Sequence, residues 1–222
     1  MERDVDMAKP KLPPTATDDE VRALLRRYQC PVPFHAVRTR FLGNIATPAM
    51  QAAPMETVSA LWGGELPAFD TLDAANELIG ALVMGLWNRL SRHQERSAAF
   101  RLTRIDVSVT RDGLAELARM RQEELDGFIE GLFGAHESLD FPERAHKALG
   151  VLAEIRAMLE GVREVADNRS KPGTPADIAA TLGHLRGFTR MAEHEMHELV
   201  LSCTRARRQM LRTTPTTKPV LH

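Results

Sequence analysis

Residues 61–92, LWGGELPAFDTLDAANELIGALVMGLWNRLSR, decide the fold. A Trp-Gly-Gly corner leads into a short extended link and then into the most apolar helix candidate in the chain. Asp70 reads as the N-cap, with Asp73 adding negative charge in the first turn. Between Ala74 and Trp87 only Asn76 and Glu77 are polar, so the spacing predicts a core helix enclosed by others. Gly80 and Gly85 each cost about 1 kcal/mol against Ala inside a helix. They are expected where a neighbouring helix crosses closely. Gly63 and Gly64 stop the preceding helix, one of them in the left-handed region.

Working outward, Thr17-Asp18-Asp19-Glu20 is a capping box that opens a first short helix, and Pro31 and Pro33 end it. Helices are expected over 35–45, from Pro54 to Leu61, and over 111–133 behind a Thr110 cap. Two long helices follow, 142–166 and 175–210. The second keeps a heptad seam: Ile178, Leu182, Leu185, Thr189, Ala192, Met196, Leu199, Cys203, Ala206 and Met210. Joined by a Pro/Gly loop, the two make an antiparallel hairpin. No alternation of apolar and polar residues persists long enough for a strand; VSV at 107–109 is the best candidate. The expectation is all-α: a helical core of about five helices over 17–134, a hairpin over 142–211 packed on it or projecting from it, a disordered tail over 1–16 and a flexible one over 212–222.

Composition narrows the functional classes. The 222 residues are 43% hydrophobic and 27% charged, with a formal net charge of −1, which favours neither nucleic acid nor membrane as a partner. The longest apolar run, 78–87, is too short to span a bilayer. The amino terminus has no signal-peptide pattern, and Cys30 and Cys203 form no CxxC pair, so a cytoplasmic protein is expected. Residues 88–111 hold six arginines against two carboxylates, next to a helix with an acidic face (Glu116, Glu123, Glu124, Asp126, Glu130). Internal charge complementarity between these two stretches is the expectation.

The segment from Leu61 to Leu90, followed by LDGFIEGLFG at 125–134, resembles the YecA/YgfB-like family of bacterial proteins. The matching positions are Trp62, Phe69, Trp87, Asn88, Leu90, Gly127, Phe128 and Gly131, and the terminal KPVLH is similar to the ending of some members. The resemblance implies a small, cytoplasmic, helical protein with no agreed enzymatic activity. Many members end in a Cys-rich zinc motif. This chain has no cysteine after Cys203, so zinc is not carried over.

Chemistry is sparse. MAEHEMHELV at 191–200 puts Glu193, His194, His197 and Glu198 at spacings that can share a helical face and hold Zn²⁺ or Fe. Glu143 and His146 form a single Glu-x-x-His, half of what a di-iron bundle needs. A solvated face with one packed histidine is the plainer interpretation of that cluster, and no cofactor is expected. Ser91, Ser97, Ser108 and Ser202 lack a nucleophile elbow, and there is no phosphate loop. CTRARRQMLR carries four arginines without aromatics, which reads as a helix end complementing its dipole; nucleic-acid contact through 205–212 and 89–104 is the weaker alternative. The leading expectation is a non-enzymatic adaptor or regulator that binds a protein, dimerising through the 142–211 hairpin. A helical-bundle metalloprotein is the runner-up.

Overall fold

The computed structural model describes residues 16–49, 53–168 and 173–213. Residues 1–15 and 214–222 of the expected tails, with the terminal KPVLH, and 169–172 of the Pro/Gly loop lie outside these residues; Arg212 and Thr213, expected in the flexible tail, end the last helix instead. Helices run α1 (Asp18–Arg27), α2 (Phe34–Ala46), α3 (Pro54–Ala60), α4 (Leu72–Ile79), a π-helical segment (Gly80–Trp87), α5 (Asn88–Ser91), α6 (Arg111–Phe133), α7 (Glu143–Asp167) and α8 (Pro175–Thr213), with a 3-10 turn at Arg92–Gln94. From α4 through α5 is one continuous rod, so five helices precede α7 and α8 among the described residues. No strand occurs among the described residues, and the protein is all-α.

Local chemistry sets the helix ends. The Thr17 hydroxyl accepts from Glu20 N, while the Glu20 carboxylate accepts from Thr17 N. Thr110 caps α6 by accepting from Gly113 N at 3.1 Å. The rod starts later than its sequence implies: Thr71, not Asp70, is the cap, accepting from Ala74 N at 3.1 Å. Gly63 and Gly64 both take positive φ, 81° and 109°, so both residues make the corner.

The centre of the fold is the crossing of α2 and α6, which run side by side in the same direction. A Cβ on Gly127 would lie 2.6 Å from Ala36 O, and one on Gly43 would lie 2.7 Å from Leu132 N. A Cβ on Gly131 would run into the Arg40 carbonyl. Only glycine lets these two backbones touch, which brings the axes closer than the usual 8–10 Å allowed by side chains. Phe41, Leu42, Ile45, Phe128 and Leu132 fill the space beside the contact and are fully buried. Close crossing was expected at Gly80 and Gly85 instead. Among the described residues nothing lies within 4 Å of a Cβ on Gly80, and the atoms nearest to one on Gly85 belong to Ala16, which precedes α1.

The rod is also less enclosed than its apolar sequence predicts. Leu78, Leu82 and Leu86 face the core, but Leu72 is 76% exposed and Met84 55% exposed. A π-helical stretch turns more slowly than an α-helix. Side chains along Gly80–Trp87 therefore do not follow a 3.6-residue period, and an open side remains in a helix expected to be enclosed all round.

α7 packs on α6, where Arg156 pairs with Asp126 and Arg163 Nη1 donates to Gln122 Oε1 at 3.1 Å. α8 packs on α7, α2 and α6. Arg144 near the start of α7 reaches Glu195 at 2.7 Å and Glu198 at 3.4 Å in the middle of α8. The heptad seam residues Leu182, Leu185, Ala192, Met196, Leu199 and Cys203 are all buried within this one chain. The seam is long because α8 covers three helices, so surplus seam no longer argues for a dimer.

Candidate functional site

The four residues of the 191–200 cluster do different jobs. Glu193 is buried: its Oε2 accepts from Arg101 Nη1 at 2.7 Å and its Oε1 from Leu102 N at 3.0 Å. Glu198 turns toward Arg144, and His194 is exposed. His197 is 8% exposed, with neither ring nitrogen hydrogen-bonded among the described residues. No group of three potential ligands among His, Cys, Asp and Glu is brought together among the described residues.

What Glu193 does belongs to a clamp that sequence reasoning missed. The connector 100–107 is no loose loop, because Phe100, Leu102 and Val107 are buried. Its backbone crosses between α2, α6 and α8, where ladder partners are absent and each buried amide needs another acceptor. Glu124, fully buried on α6, accepts from Thr103 N at 2.8 Å and pairs with Arg121. Arg121 in turn donates to Thr103 O at 2.6 Å and to Thr189 Oγ1 at 3.1 Å. From α2, Arg38 donates to Thr103 Oγ1 at 3.2 Å and stacks over the Phe100 ring. Burial lowers the Arg38 pKa, the carboxylates of Asp18 and Glu124 opposing it. The legible signal was the Phe100/Leu102 alternation within FRLTRIDV, which is too short to count as a strand.

Among the described residues no ion pair at 4 Å joins the arginines of the basic stretch to the acidic face of α6, contrary to expectation. Arg89 binds Asp18, Arg101 binds Glu193, and Arg111 donates to Asn168 O. On α6, Glu123 holds His35 and Arg119, Asp126 holds Arg156, and Glu130 holds Arg40. Where these charges are paired, the partner lies on another element or on the same helix.

The residues that carry the resemblance noted above have structural work. Trp62 Nε1 donates to Tyr28 O at 2.9 Å, and Phe69 meets the Tyr28 ring edge-on at 5.2 Å. Trp87 Nε1 donates to Asn44 Oδ1 at 3.0 Å, and Asn88 Nδ2 donates to Met84 O at 3.3 Å. Gly127, Phe128 and Gly131 sit in the α2–α6 crossing. The thiols are poor nucleophiles: burial raises the pKa of Cys30 and pushes that of Cys203 up to about 12.

One surface has the shape of a binding site. A groove of about 590 Å³ separates α1 from the rod, lined by Ala16, Ala23, Leu24, Gly80, Ala81, Met84 and Gly85, with Glu20, Arg27, Asn76 and Glu77 on its rim. Arg27 bridges to Glu77 at 3.3 Å across one edge. The groove exists because the facing residues are small and because the π-helical segment presents two glycines there. No family model, curated protein or solved structure matches this chain.

Proposed function

We propose that this protein is a non-enzymatic helical adaptor of the cytoplasm, and that it receives an apolar helical or extended segment of another protein in the groove between α1 and the rod. The observation that carries this is the groove itself: a trough of about 590 Å³ floored by Leu24, Ala81 and two glycines, with Met84 standing exposed at its lip. Methionine adapts to irregular apolar partners. Glycine without steric need is otherwise a cost in a helix, and Gly80 meets no neighbour that would require it. The buried polar groups support this reading by exclusion of a simpler one. Glu124, Arg121 and Glu193 are committed to the 100–103 backbone, which leaves them no role in acid–base chemistry.

The resemblance to the YecA/YgfB-like family fits such a role, and those of its residues that are described pack or brace. No helix among the described residues is long and apolar enough to cross a membrane, and both cysteines are free, which fits a reducing compartment.

Gly80→Leu tests the proposal, since nothing lies within 4 Å of a Cβ there and Gly80 lines the groove. Proteins cross-linked to the wild-type chain in its host should be lost in the variant, with thermal stability unchanged or raised. Equal capture by wild type and variant would contradict the proposal.

A further inference from the structure

The carboxyl-terminal half-turns of α8 and the turn after α5 enclose a second groove, of about 470 Å³, and it is lined by Arg96, Arg205, Arg208 and Arg212 together with Gln94, Glu95, Leu201, Thr204 and Gln209. Arg96 comes from a segment more than a hundred residues away in the chain, so the fold has gathered two separate basic stretches in one place. All four arginines are exposed, and none has a carboxylate within 4 Å among the described residues. Glu95 is the one acid in the lining. The fourth arginine of the helix end, Arg207, points the other way: it donates to Ile45 O at 2.6 Å, at the end of α2, and is partly buried. α8 thus divides its cations between a structural cap and an outward row.

Arg205, Arg208 and Arg212 stand at i, i+3 and i+7 on one face, a row about 10 Å long at 1.5 Å per residue. We infer that this groove binds the phosphate backbone of double-stranded nucleic acid. Guanidinium groups match phosphate oxygens in a bidentate manner and stay charged at any physiological pH. The lining holds no aromatic side chain for stacking on unpaired bases. It also lacks the deep apolar pocket that anchors an acidic peptide. A duplex offers the complementary surface, with phosphates outward, bases hidden and a high linear charge density. Contact through phosphates alone makes the binding independent of sequence.

The test uses the full-length protein and a fluorescent 20-base-pair duplex of arbitrary sequence, titrated by anisotropy at 50 to 200 mM salt. Four phosphate contacts predict log K falling against log salt with a slope of about −3 to −4. Arg205→Gln/Arg208→Gln/Arg212→Gln should weaken binding at least tenfold at 50 mM salt and cut the slope to about −1. The control, Arg186→Gln/Arg190→Gln, removes charge from an exposed part of α8 outside the groove and should change affinity less than twofold. Circular dichroism melts should coincide for all three proteins. No binding at 50 mM salt, or an equal loss in the control variant, would overturn the inference. Displacement of the duplex by polyglutamate at equal charge concentration would overturn it in favour of an acidic protein partner.

Discussion

Two sets of glycines on helices in this molecule do opposite things. Gly43, Gly127 and Gly131 close the α2–α6 crossing, where an added methyl group would strike the backbone of the facing helix. Gly80 stands in the rod with no described residue within 4 Å of its Cβ position, and the atoms nearest to that of Gly85 belong to Ala16. The first set holds the fold together, whereas the second leaves a trough on its surface. In sequence nothing tells them apart: Gly43 stands alone in its helix, Gly127 and Gly131 are four apart, Gly80 and Gly85 five apart, and all lie within helical stretches. What separates them is the neighbour, and a neighbour is a tertiary fact.

The sharpest way to break this comparison is Gly131→Ala. Its new methyl meets the Arg40 carbonyl, which is part of a helix and cannot rotate aside, so the cost should be about 4 kcal/mol or more. Chemical denaturation of a variant that stays within about 1 kcal/mol of wild type would show that the crossing is not closed. Next in size is Glu124→Ala, which strands Arg121 in the interior and leaves Thr103 N without its acceptor. A loss of about 3–4 kcal/mol is expected, with faster amide exchange over 100–107.

The open side should respond in the other direction. Gly80→Ala adds a methyl to empty space and removes backbone freedom from the unfolded chain, which should stabilise by about 0.5–1 kcal/mol. A destabilised variant would mean that something fills the trough. The smallest effect concerns acid. Burial lowers the His93 pKa, the hydrogen bond from its Nδ1 to Ala98 O opposing the shift, and nearby Arg92, Arg38 and His197 lower it further. The unfolded chain, titrating near 6.5, therefore takes up the proton first as pH falls. This contribution to stability is complete above about pH 6.5 and is lost progressively below it. The Tm of wild type should drop by a few degrees more than that of His93→Gln between pH 7.5 and 5.5. Parallel drops in the two proteins would remove His93 as the source.

Much of this architecture is legible before any coordinates. Thr17 and Thr110 announce helix starts by local chemistry that needs no tertiary partner, and the 3.6-residue period finds α6, α7 and α8 to within a few residues. The errors have physical causes. Asp70 and Thr71 are adjacent capping residues of similar preference, and only the backbone selects between them. A stretch apolar nearly all round carries no mark of which side stays open, so Met84 is expected to be enclosed when it lies outside. The seam of α8 reads as surplus because its three partners are distant in sequence. Of the candidate sites, His194, His197, Glu193 and Glu198 are recognisable as ligand types, but which atoms they face is decided by Arg101, Leu102 and Arg144 on other elements. The groove has no motif at all. It is an absence of side chains, visible only when two helices stand across from each other.

The most direct test of the account places a photo-cross-linking amino acid at Met84, on the lip of the groove, and another at Met158, an exposed methionine on α7. Irradiation in the host should give a discrete protein adduct from position 84 and none from position 158, and adding Gly80→Leu should abolish it. Adducts of equal yield from both positions, or none from position 84, would contradict the claim that the open side of the rod is the working surface.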